Sequence, residues 1–95
     1  MPRFSNKKQF KKENLDSIPT YKPVLYEIHN SHGTNIYTGT AKRGRVKERL
    51  KEHLTQGSDP VKGGKLFRIK QMDSIKNAQK EEQRIIKREK PKFNK

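Results

Sequence analysis

The sequence predicts a small α+β domain, a three-stranded antiparallel sheet flanked by helices in the order β-β-α-β-α. Three observations carry that expectation. Two runs rich in β-branched and aromatic residues, 24–29 and 35–40, are separated by the turn-forming stretch Asn30-Ser31-His32-Gly33-Thr34, which reads as a hairpin. Two later segments, 45–54 and 74–90, repeat their apolar residues at the helical period. Only 27% of the 95 residues are hydrophobic, enough for one modest core.

Residues 1–22 are polar and basic, with Phe4, Phe10, Leu15 and Ile18 too sparse to build a core alone. They read as an arm, flexible or loosely docked, with a helical turn around residues 7–15. The folded domain is expected over residues 23–95, behind Pro19 and Pro23. In the first strand, VLYEIH, Val24, Tyr26 and Ile28 share a face; in the second, NIYTGT, Tyr37 and Gly39 do.

The helix over 45–54 has Val46, Leu50 and Leu54 as its apolar line. Arg49 and His53, four residues apart, stack at its edge. Gly57 is a C-cap signal, and 55–64 reads as a loop. Leu66 to Met72 is the third strand. Asp73 and Ser74 offer cap oxygens to the last helix, which must end before Pro91.

That last helix carries the most informative residue. Its apolar stripe is Ile75, Ala78, Ile85 and Ile86, and Glu82 falls inside it. Glu81 is expected to point about 100° away, into solvent. A carboxylate aimed at a core costs free energy unless it is paired, hydrogen-bonded or holding a metal. Glu82 is therefore a structural ion-pair member or a functional ligand.

Net charge is +14, from 24 Lys and Arg against 10 Asp and Glu. A small chain this basic most often has nucleic acid as its partner. DNA is the expected partner and RNA stays open. An anionic membrane fits less well, because no helix combines a broad apolar face with Trp or Phe anchors. No apolar run approaches the ~20 residues of a membrane span, and the N-terminus lacks the apolar core of a secretory signal. The absence of cysteine rules out a disulfide framework or thiolate zinc site and fits the cytoplasm, the expected location. His29 and His32 flank the turn and are expected to be exposed; with His53 they lack zinc-ligand spacing.

Tyr26, Tyr37, Arg49, His53, Glu82 and Asn94 stand where the pattern wants packing or strand ends. Each has an ordinary structural explanation, and only their joint occurrence points to a site. In three blocks they resemble the GIY-YIG nuclease family: Val24-Leu25-Tyr26 with Tyr37-Thr38-Gly39 across the hairpin, Arg49 through His53 on the following helix, and Glu82 through Pro91-Lys92-Phe93-Asn94 at the end. The spacing is most similar to the N-terminal nuclease domain of the excinuclease C subunit. Val24 and Leu25 stand for the Gly-Ile of the name motif and Thr38 for its middle Ile; these are strand residues, not reacting groups.

The resemblance implies a divalent-metal endonuclease acting on DNA phosphodiesters. Glu82 would hold one Mg²⁺ or Mn²⁺ that keeps most of its waters. Tyr37, or failing it Tyr26, would help deprotonate the attacking water, and Arg49 would clamp the phosphate. His53 would orient a tyrosine or pass a proton, and Asn94 would brace the metal ligand or the backbone near it. Lys42, Arg43, Arg45 and Lys47 are expected to contact phosphates at the mouth, where cations oppose the helix dipole unless an anion is present. No separate DNA-targeting domain is expected in this stand-alone domain, so a homodimer or protein partner would supply targeting and the second cut. The alternatives are a non-catalytic basic nucleic-acid-binding module on the same fold and, on charge alone, a small ribosome-associated protein.

Overall fold

The computed structural model describes residues 3–54, 57 and 60–94. Among the described residues seven elements follow one another: β1 (Lys8–Gln9), α1 (Lys12–Leu15), β2 (Val24–His29), β3 (Asn35–Ala41), α2 (Val46–Glu52), β4 (Leu66–Gln71) and α3 (Ile75–Glu89). The three expected strands and two expected helices are present. Of the expected loop over 55–64, Thr55, Gln56, Ser58 and Asp59 lie outside the described residues.

The sheet is antiparallel throughout and runs β1-β4-β2-β3. Its fourth strand comes from the basic arm. Lys8 and Gln9 pair with Phe67 and Leu66, a pairing too short to leave any alternation in the sequence. Around it, Ser5 N donates to Ile69 O at 2.7 Å and Phe10 N to Lys65 O at 2.8 Å. Phe4 lies under the Arg68 guanidinium, 4.2 Å from its ring centre. The helical turn expected around 7–15 shrinks to α1, because residues 8–9 are taken by the sheet. Leu15 is 0% exposed and Ile18 is also buried. The described part of the arm, expected to be flexible or loosely docked, lies against the sheet and is bonded to β4 through its backbone.

Strand alternation divides the side chains between two faces. Val24, Tyr26 and Ile28 of β2 face the same way as Tyr37, Gly39 and Ala41 of β3 and Phe67 and Ile69 of β4. This face packs against α1 and α2 through Leu15, Val46 and Leu50. The opposite face carries Leu25, covered by Ala78 and Ile85 of α3.

Turns follow their residue chemistry. The side chain of Asn30 accepts from His32 N and Thr34 N at 2.9 and 3.0 Å, closing the β2–β3 hairpin. Ser74 caps α3 by accepting from Asn77 N at 3.1 Å. Lys90 takes a left-handed conformation, φ 47°, and ends the helix before Pro91. Gly57 does not cap α2, whose C-cap is His53. Instead it lies so close to the helix end that a Cβ there would sit 2.4 Å from Lys51 O.

Burial of Leu15 makes the arm part of the core. Leu15→Ala is expected to lower the unfolding free energy by about 2–5 kcal/mol, read from the midpoint of a urea titration; a change within ~0.5 kcal/mol would mean that the arm adds nothing to the core.

Candidate active site

Tyr26 sits midway along β2, an inner strand, and is 0% exposed. Its cross-strand partner is Gly39. A Cβ at Gly39 would meet the Tyr26 hydroxyl at 2.5 Å and Tyr37 Cε2 at 3.0 Å, so only glycine lets the two rings lie on β3. The Tyr26 hydroxyl and His53 Nε2 share a 2.9 Å hydrogen bond. His53, at the end of α2, is itself 0% exposed. Tyr37 closes the group, its ring centre 4.6 Å from that of His53 and 6.1 Å from that of Tyr26.

Arg49 completes this cluster from α2. Its Nη1 donates to Glu52 Oε1 at 2.6 Å. Burial works against its charge, but Tyr26, Glu52 and Tyr37 outweigh burial and raise its pKa. The guanidinium therefore stays positive beside both phenols. Burial first, then the neighbouring Tyr37, pushes the Tyr26 phenol far above its usual range, against the pull of Arg49. Tyr26 is held as a neutral hydroxyl, whereas Tyr37 is half-buried and reaches the surface.

Asn94 joins from the other end of the chain. Its Oδ1 accepts from Thr38 N at 2.8 Å and its Nδ2 donates to Thr38 O at 2.9 Å. A side-chain amide thus pairs with the outer edge of β3 as a further strand would, next to Tyr37. Phe93 N donates to Ile36 O at 2.9 Å along the same edge.

Glu82 lies on α3, which packs on the face of the sheet opposite that cluster. Glu81 is not in solvent, as expected, but bonded to Lys70 of β4. The stripe of α3 is centred on Ala78 and Ile85, so positions 81 and 82 flank it on opposite sides. With Glu81 turned to β4, Glu82, about 100° further round, is turned toward β3, the sheet's outer strand. It is half-buried and makes no hydrogen bond or ion pair among the described residues. Burial raises its pKa. No bond joins it to Tyr26, Tyr37, Arg49 or His53 among the described residues; the structure brings those four together and sets Glu82 on the neighbouring layer.

Of the cations expected at the mouth, Lys42 and Arg45 line a groove of about 270 Å³ with Thr40, Ala41 and Arg49. Arg43 is exposed outside it and Lys47 is half-buried. Arg45 is paired with Glu48 at 2.9 Å.

Sequence reasoning missed a second cluster. His29 is buried, not exposed. It bonds Gly33 O through Nδ1 and Glu27 Oε1 through Nε2, both at 2.9 Å. Arg68 Nε donates to the same Glu27 oxygen at 2.8 Å. Burial would raise the Glu27 pKa, but the bonds from His29 and Arg68 win and hold it below the usual carboxylate range. The available signal was strand alternation, which puts Glu27, His29 and Arg68 on one face. Among the described residues no three His, Cys, Asp or Glu side chains group to hold a metal. A cation at Glu82 would have one protein carboxylate and keep its waters, which suits Mg²⁺. A half-buried carboxylate with no partner among the described residues fits that role.

Residues 22–95 match the family described as the GIY-YIG catalytic domain. No curated protein matches the chain. No helix among the described residues is long and apolar enough to cross a membrane.

Two outcomes follow from this geometry. Gly39→Ala should destabilise the fold by about 1–3 kcal/mol through overpacking in a denaturant titration, and an unchanged midpoint would show that the tyrosine can move aside. Because burial raises the folded-state pKa of Glu82, its ionisation costs stability, which is lost as pH rises through that pKa. Glu82→Gln should therefore stabilise the fold at neutral pH in chelated buffer, with the gain fading as the solution is acidified below the carboxylate range. A destabilised variant at neutral pH would contradict the assignment.

Proposed function

The chain belongs to the GIY-YIG family, whose domains are nuclease-type, and on that premise we propose that it is a divalent-metal-dependent endonuclease hydrolysing DNA phosphodiester bonds. The observation that carries the reading is Glu82: a half-buried carboxylate without a partner among the described residues, turned toward the strand that bears Tyr37. A structural ion pair would have left it with one.

Glu82 would hold the divalent cation, which when bound would supply charge stabilisation at the scissile phosphate. The chain's own groups do the rest. Arg49, kept positive among the phenols, binds the phosphate and favours a phenolate beside it. Tyr37, the more exposed of the two rings, accepts the proton of the attacking water. The new bond forms between that water oxygen and phosphorus as the bond to the leaving oxygen breaks. Tyr26 and His53 are shut away from water and act by position, fixing the ring of Tyr37 and the end of α2. Asn94 fixes the backbone of Thr38 and so the direction of Tyr37. Lys42 and Arg45 set the register of the strand in the groove without reading its sequence. The spacing of the motif blocks supports kinship with the excinuclease C nuclease domain and hence a repair role.

Cleavage of plasmid, single-stranded and branched DNA with Mg²⁺ or Mn²⁺ tests the reading. Glu82→Gln and Arg49→Ala should each slow cleavage by about 10²-fold or more, and Tyr37→Phe by about 10²–10⁴-fold, with Tyr26→Phe costing less. Undiminished cleavage by Glu82→Gln would overturn the metal assignment. Binding without cleavage on every substrate would leave a non-catalytic module.

A further inference from the structure

The basic surface at the mouth does not account for the cations of α3. Counting about 100° per residue, Lys76, Lys80 and Lys87 lie within about 30° of the direction opposite the buried Ala78 and Ile85, with Arg84 beside them. All four are exposed, and none makes a hydrogen bond or ion pair among the described residues. Lys76–Lys80, Lys80–Arg84 and Arg84–Arg88 are like-charged neighbours one turn apart, which destabilise a helix. The first turn holds no acid; Lys76 stands there against the helix dipole. A surface evolved for solubility alone mixes signs.

Beside this ridge, between α3 and the end of β4, is a groove of about 290 Å³ lined in part by Lys80, Arg84, Asp73 and Glu81. Both its carboxylates are already engaged, Glu81 by Lys70 and Asp73 by Lys22 at 3.9 Å. Lys80 and Arg84 are left as its unpaired charges. From Lys76 to Lys87 the ridge spans about 16 Å at ~1.5 Å per residue, close to five base steps of one strand at ~3.4 Å each.

We propose that the outer face of α3 is a second docking surface, for the phosphate backbone of nucleic acid. It lies on the layer opposite the groove of Lys42, Arg45 and Arg49. The two surfaces together fit a nucleic acid that presents two backbone segments at once, such as a branched duplex. A membrane is the poorer occupant, because the ridge is flanked by Asn77, Gln79 and Gln83 and offers nothing apolar to insert. The inference rests on the nucleic-acid part of the proposed function and not on its chemistry.

The test is a salt titration of binding to a linear duplex and to a four-way junction, with Glu82→Gln in every sample so that nothing is cut. Adding Lys76→Gln, Lys80→Gln, Arg84→Gln and Lys87→Gln together should make the slope of log K against log salt on the junction shallower by about 3–4 units, at ~0.9 for each phosphate no longer neutralised. The preference for the junction should fall at least tenfold. An unchanged circular dichroism spectrum establishes that the fold is kept. An unchanged slope overturns the proposal, as does a variant that loses only its binding to vesicles of anionic phospholipid. A parent protein that binds neither nucleic acid overturns this inference together with the binding it rests on, whereas a parent that binds both but cleaves nothing without the Glu82 change would sink the nuclease reading and leave the ridge standing.

Discussion

The close approach of Tyr26 to the backbone at Gly39 is the constraint on which the candidate site depends. It removes a phenol from water, which is costly unless the hydroxyl is bonded, and His53 Nε2 supplies that bond at 2.9 Å. The bond in turn fixes the end of α2, and with it Arg49 four residues earlier. Tyr37 then stacks on a ring that cannot move, because the missing side chain at position 39 is the space that both rings occupy. One absent methyl group thus sets the distance between a guanidinium and two phenols.

The carboxylates under α3 show how environment assigns roles. Glu27 is wholly enclosed, yet its pKa falls, because donors from His29 and Arg68 reach one of its oxygens. Glu82 is less enclosed, yet its pKa rises, because nothing compensates the lost water. Glu81, its immediate neighbour, is satisfied by Lys70. Opposite shifts in nearby titratable groups separate a carboxylate reached by donors from one reached by none among the described residues. Glu27 keeps one buried oxygen, Oε2, without a bond, whereas neither carboxylate oxygen of Glu82 is bonded among the described residues.

Much of this was legible in the residues. The bounds of β2, the cap at Ser74 and the stop before Pro91 follow from local chemistry, and Glu82 stood out because a carboxylate interrupted an apolar stripe. Periodicity alone placed it incompletely: a stripe centred on Ala78 and Ile85 has two flanks, and only the position of Lys70 shows which glutamate takes which. The docking of the arm was hidden because backbone bonds of Ser5, Lys8 and Phe10 leave no side-chain pattern, and Leu15 is one apolar residue among charges. His29 was misjudged because it closes a turn; its burial depends on Glu27 and on Arg68, 39 positions away. The motif blocks carried what local patterns could not, since they encode the meeting of Tyr26, Tyr37, Arg49 and His53 directly.

Both margins of the sheet are held by segments that flank its main strands. Residues 5–10 run along β4, and Phe93 with Asn94 runs along β3. A ribosome makes the tyrosines and arginine early and the clasp on β3 late. During synthesis β3, paired with β2 on its inner side, therefore lacks this clasp on its outer edge until residues 93 and 94 have emerged. A nascent polypeptide would carry Tyr26, Tyr37 and Arg49 before the backbone beside Tyr37 is braced, and the geometry of that cluster would be complete only once the clasp had closed.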